Sequence, residues 1–302
     1  MRISTSLLHQ QGVATILDNQ AAVAKTQLQL STGRRIVQPS DDPTGSMQAM
    51  GLKQLLAEAA QYGKNADAAR ARLELEETAL AQAGDILQRV RELAVRGLNG
   101  TLGATERNGI AIEVRQRLND LLAVANTRDA NGEFLFGGFY KGTADAFVDN
   151  GAGSFTYNGD QGQRQLQISR SRQVAVGDHG AEVFLDIPAS GGGTQSAFVT
   201  LYTLATSLEA NSPTQASLND IDNALDNILG VRATVGARLN AVESQQAAHE
   251  SLKLTVEEQL SDVQDLDYAE AVSRLNRQML ALQAAQQTYS NVQGLSLFDF
   301  LR

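Results

Sequence analysis

Downstream of Pro213 the chain repeats its apolar residues in alternating steps of three and four: Leu218, Ile221, Leu225, Ile228, Arg232, Val235, Leu239, Val242, Gln246, His249, Lys253, Val256, Leu260 and Val263. Ten of these positions are aliphatic. A straight α-helix has 3.6 residues per turn, so a stripe that recurs every 3.5 residues stays against its partner only if the helices supercoil. The spacing predicts one continuous helix of about 70 Å, at ~1.5 Å per residue, packed along its length against another helix. Shorter seams with sevenfold spacing recur at Leu73, Leu80 and Leu87, at Ile16, Val23 and Leu30, and at Tyr268, Leu275, Leu282 and Tyr289.

Proline marks where these helices stop. Pro39, Pro43, Pro188 and Pro213 all fall outside the helical patterns, as an interior proline that costs ~3 kcal/mol requires. Ser40-Asp41-Asp42-Pro43 reads as a helix-cap joint: a side-chain oxygen accepts from free backbone amides while proline occupies the first turn, where no donor is needed. Asn211-Ser212-Pro213 repeats that logic. The central helices can cover one another within the chain. The first and last segments lie beyond capped breaks and carry seams of their own, so they read as assembly arms.

Between the helical blocks the residue types change. Residues 134–157 hold Phe134, Phe136, Phe139, Tyr140, Phe147, Phe155 and Tyr157, and half of the 26 glycines lie between Gly132 and Gly193. This block reads as β. Ser154–Tyr157 and Arg164–Ser169 look like strands flanking an Asn158-Gly159-Asp160 turn, and Gly191-Gly192-Gly193 reads as a flexible return to helix. The expected fold is mainly α: a long antiparallel coiled-coil helical bundle built from the N- and C-terminal blocks, with a small inserted β-rich domain. The divisions are an N-terminal assembly helix at 1–42, a rod at 43–130, a β-rich outer domain at 131–195, the rest of the rod at 196–263, and a C-terminal assembly helix at 264–302.

A net charge of −9 disfavours nucleic acid and anionic lipid, whose phosphates are bound mainly by Lys and Arg. With no cysteine, disulfides and thiolate metal sites are excluded. No apolar run approaches the ~18 residues of a membrane-spanning helix, and the start has no apolar core of a cleaved secretory signal. Neither nucleic acid nor membrane is an expected partner.

Candidate chemistry has simpler explanations. His249-Glu250-Ser251-Leu252-Lys253 offers one histidine of a zinc-protease pair, but Lys253 holds the second ligand position and an ammonium cannot bind zinc. Both residues fall on the seam, so His249 reads as a polar register element. Asp41 with Asp42 caps a helix, Asp222 and Asp226 lie four apart on a helix flank, and Asp265 and Asp267 sit in an inter-helix joint. Arg164, Arg170 and Arg172 read as a solvated face. No catalytic residue, metal ligand or cofactor site is expected.

Three strings then tie the pattern to a known family. LSTGRRIVQPSDDPTG at 30–45, VGARLNAVE at 235–243 and LSDVQDLDYAEAVSRL at 260–275 resemble, in this order, the flagellin family's joint after the first helix, its returning helix and the opening of its last helix. MRIST at the start, NGEFLFGG at 131–138, YNGD at 157–160, the small middle block, and Phe298 and Phe300 at the end resemble the member that joins hook to filament more than filament flagellin. The resemblance implies a secreted, non-enzymatic structural subunit of the bacterial flagellum, exported unfolded without a cleaved signal peptide and stacked into a tube. It implies as partners neighbouring copies of itself, the preceding hook-associated junction protein, flagellin, and an export chaperone on the C-terminal helix. The expected assembly interface comprises Ile16, Val23, Leu30, Leu275, Leu282 and Tyr289, with Ser40, Asp41, Asp42 and Pro43 as the joint. Filament flagellin is the nearest rival reading. A surface hydrolase using the middle block around Asp160 is the rival from another class.

Overall fold

The computed structural model describes the backbone of residues 2–300 and the side chains of Leu7 and residues 9–291. The side chains of the MRIST start and of Phe298 and Phe300 lie outside the described residues. Within them the chain forms α1 (Arg2–Thr32), α2 (Pro43–Gly97), α3 (Ala104–Ala125), α4 (Ala197–Glu209), α5 (Gln215–Gln264) and α6 (Tyr268–Phe300). Six short strands lie between α3 and α4: β1 (Phe147–Asp149), β2 (Phe155–Tyr157), β3 (Gln165–Ser169), β4 (Arg172–Ala175), β5 (Ile187–Pro188) and β6 (Thr194–Gln195). Long helices pack antiparallel with a small strand-containing insert, the mainly α fold expected from the seams.

Two compact units result, Met1–Glu58 with Ser251–Arg302, and Ala59–Glu250. Their divisions fall inside α2 and α5, whereas the sequence reading set its boundaries at the ends of those helices. In the Ala59–Glu250 unit, Ala66, Ala69, Leu73, Leu80, Ala83, Leu87, Val90 and Ala94 of α2 are buried. They share a core with Ile221, Ile228, Val235 and Val242 of α5. Ion pairs fix the antiparallel register of the two helices: Arg70 with Glu243, Arg232 with Glu77, and Arg91 with Asp222. Along the α5 seam named above, Lys253 alone is exposed.

The strands form three antiparallel hairpins, β1–β2, β3–β4 and β5–β6. The strands around Asn158-Gly159-Asp160 therefore exist but do not pair with each other. β2 pairs back onto β1 and β3 pairs forward onto β4, and Asn158 donates from its backbone to Ala146 and from its side chain to Asp145. The local turn signal is satisfied by a connection between hairpins. The Gly191–Gly193 run is likewise the tip of the β5–β6 hairpin, closed by Ala189 N–H to Gly193 C=O at 3.0 Å, and not a loose linker.

Aromatic packing ties this insert to the helices. Phe136, Phe147 and Phe184 are buried against Phe198 of α4 or against one another, with ring centroids 5.2 to 5.7 Å apart. Each buried ring is worth about 1.5–3 kcal/mol of transfer free energy. The insert thus shares the core of the helices. His249 bridges the same two parts: its Nε2 lies 2.7 Å from the Ile168 carbonyl and its ring stacks on Tyr62.

Candidate assembly interface

In the unit formed by Met1–Glu58 and Ser251–Arg302, α1 and α6 pack against each other. Side chains that are half-buried or buried recur at heptad spacing on both helices: His9, Gly12, Ile16, Asn19, Val23, Thr26 and Leu30 on α1, and Ala271, Leu275, Gln278, Leu282, Ala285 and Tyr289 on α6. The pair is antiparallel, since Tyr289 meets His9 edge-on at 5.6 Å and Thr26 Oγ1 donates to Gln278 Oε1 at 2.7 Å. Gly12 leaves room for the Tyr289 ring; a β-carbon there would come within 2.8 Å of it. Ile16, Val23, Leu30, Leu275, Leu282 and Tyr289 are all half-buried along this seam. The seams expected to serve assembly meet each other within the chain: α1 lies against the α6 seam.

What the pairing leaves uncovered was not evident from the sevenfold spacing. Val13, Leu17 and Leu28 on α1 form a second apolar stripe, 43%, 58% and 50% exposed, and Val272 and Met279 do the same on α6 at 47% and 44%. The signal was present as apolar residues beside the seam: Val13 and Leu17 each follow a seam position on α1, and Val272 and Met279 each follow one on α6.

The joint is built from two breaks that meet. Arg34 bridges Asp265, Arg35 N–H donates to Gln264 C=O at 2.7 Å, Leu266 N–H donates to Gly33 C=O at 3.0 Å, and the Arg35 guanidinium reaches Val263 C=O at 2.7 Å. Gly33 turns the chain with φ of +68°, a conformation open to glycine. Asp42 caps α2 by accepting from Gly45 N–H at 2.9 Å, with Pro43 as the first helical residue. Asp41 turns back to accept from the amides of Val37 and Gln38, both at 3.1 Å, and to pair with Lys25 at 2.8 Å. Bonding to Lys25 first, then to the two amides, holds the Asp41 carboxyl down at about 2. Ser40 is exposed beside them. Asp267 caps α6 through Glu270 N–H.

The residues weighed for chemistry are spread through the molecule. Asp160 accepts from Phe139 N–H and Gly162 N–H at 3.0 and 2.7 Å, shaping a turn. Asp222 pairs with Arg91 and Arg164 with Glu133. Among the described residues no cluster of three or more His, Cys, Asp or Glu could hold a metal ion, and no helix is long and apolar enough to cross a membrane.

The family model of the bacterial flagellin N-terminal helical region matches residues 3–141, and that of the C-terminal helical region matches residues 218–301. Over 318 residues the chain is 33% identical to flagellar hook-associated protein 3 of Escherichia coli (strain K12), covering 99% of both. It belongs to the flagellin family. Flagellar hook-associated protein 3 of Salmonella typhimurium (strain LT2) is 32% identical over 321 residues and the whole of both chains. A solved structure from Vibrio parahaemolyticus, described as a flagellar hook-associated protein, matches 74% of this chain and all of its own, with 27% identity and a TM-score of 0.67. As a flagellin-family member this chain is a structural protein and not an enzyme. Two of its three flagellin-like strings, 30–45 and 260–275, are the two halves of the joint. The third contributes Arg238, whose guanidinium lies 2.9 Å from both oxygens of Asp178.

Proposed function

We propose that this chain joins the hook of the bacterial flagellum to its filament and assembles there through α1 and α6. The observation that carries the reading is the unfinished packing of the arm pair. A two-helix pair buries one seam on each helix, and here each helix keeps a second apolar stripe facing outward, the pattern of a surface awaiting further helices. Ile16, Val23, Leu30, Leu275, Leu282 and Tyr289 hold the two arms together as one unit, and the outward stripes meet neighbouring subunits.

Full-length similarity to two proteins named flagellar hook-associated protein 3 supports the junction over the filament. The neighbours are then copies of this chain, the preceding hook-associated junction protein and flagellin. Export follows the flagellar route, with a chaperone on the C-terminal helix shielding its apolar residues beforehand. Electron microscopy of cells lacking this chain is expected to show hooks without filaments, with monomeric flagellin shed into the medium. Filaments of normal length on those hooks would refute the junction role, and an absence of shed flagellin would point to the filament subunit itself.

A further inference from the structure

The heptad seam of α2 carries one ionisable residue where every neighbour is aliphatic. Glu76 stands three residues after Leu73 and four before Leu80; both leucines are fully buried and Glu76 itself is 1% exposed. Its Oε1 accepts from Asp178 N–H at 2.8 Å, while its Oε2 is buried with no hydrogen-bond partner. Counting charges around it shows which group lacks a counterion. From the segment before the π-turn at Ala181–Leu185, Asp178 is 4% exposed and takes the Arg238 guanidinium of α5 on both oxygens, as well as Gln163 Nε2. From α2 itself, Arg72 bonds Asp129 at 2.6 Å and lies 3.9 Å from Glu133, which is further neutralised by Arg164 and Lys141. Glu77 is matched by Arg232 of α5, and His179 turns to Glu182. Each cation near Glu76 is already bonded to another carboxylate. An ionised Glu76 would sit unpaired in an apolar seam beside the Asp178 charge, which is costly.

We propose that Glu76 is a proton-operated latch: as the neutral acid it holds the 176–180 segment, and the β-rich insert behind it, against α2, and it loses its proton when that segment lets go. Burial first, and the Asp178 charge second, push its carboxyl up to about 8. The sign follows from linkage. A carboxyl raised above its unfolded value near 4.5 favours the closed state fully below that value, and the advantage is lost as pH rises toward about 8, beyond which it levels off. The docked insert is thus tightest in acid and looser in mild alkali.

Native-state hydrogen exchange of the full chain, corrected for intrinsic rates, tests this at the Asp178 amide and its 174–182 neighbours. In the wild type, protection is expected to fall by up to about tenfold per pH unit between pH 5 and 8 and then to flatten. Glu76→Gln leaves His179 and the other charges in place and is expected to show no such slope. Glu76→Leu, which completes the aliphatic seam, is the second variant should the first fold poorly, and it too is expected to be flat. A wild-type profile without a slope, or a variant that keeps the wild-type slope, would overturn the latch.

Discussion

The α1–α6 pair and the core of the Ala59–Glu250 unit are built on the same heptad period, yet they end in different states. On α2, Leu73, Leu80 and Leu87 are completely buried, because α5, α3 and the aromatic insert close around them. On the arms, Ile16, Val23, Leu275 and Leu282 reach only half-burial, because each helix of the pair covers one side of the other. The period specifies that a helix has a partner; the number of apolar stripes specifies how many. One stripe on a two-helix pair is a finished structure, and a second stripe leaves apolar surface exposed.

The largest effect is expected where the packing is finished. Phe184→Ala removes a ring that touches Phe136, Phe147 and Phe198, and about 3–5 kcal/mol of stability should go with it. Urea unfolding should show the loss, while hydrogen exchange in α1 and α6 stays as it was. A loss of protection in the arms as well would end the distinction between the two regions.

Leu282→Asp tests the arm seam. A carboxylate without a partner between α1 and α6 should raise exchange throughout both helices and abolish motility. The melting of the Ala59–Glu250 unit should stay within about 0.5 kcal/mol, as expected for sites that share no partners. Cells that swim normally with this variant would refute assembly through the arms.

The smallest effect on the isolated chain, and the sharpest for the comparison, belongs to the outward stripe. Val13→Ser with Leu17→Ser changes two exposed residues, so stability should move by no more than about 0.5 kcal/mol. Motility should nevertheless fall if, as proposed, these side chains meet neighbouring subunits. A swimming assay with unchanged motility would move the contact surface elsewhere.

The helical part of this fold was legible because its information is periodic: Leu218 through Val263 specifies a helix and its buried face without any knowledge of the partner. The joint was legible for a related reason, since Asp42 and Pro43 act on amides within three residues of themselves. The insert was not, because its pairings are settled by tertiary contacts. Asn158-Gly159 marks a turn correctly, but whether a turn closes a hairpin depends on Ala146 and Asp145, thirteen residues away for the latter. Glu76 was missed for a different reason. Counting Leu73, Leu80 and Leu87 at intervals of seven skips the intermediate seam position, and that position holds the acid. The pairing of α1 with α6 within the chain was not legible either, because sevenfold spacing does not say whether the partner helix belongs to the same chain.

The clasp at Gly33–Arg35 and Gln264–Leu266 has a consequence in time. Thr26 and Gln278, which meet across the arm pair, are 252 residues apart in sequence. Whichever end of the chain emerges first, its arm has no mate until nearly all the rest has followed. The cost of bringing two ends together grows only slowly with the length between them, by about 0.6 kcal/mol per doubling. What delays the arms is therefore arrival more than entropy. The contacts between helices inside Ala59–Glu250 can form while one arm is still missing, so the pairing of the arms is the last of the long-range contacts to be completed.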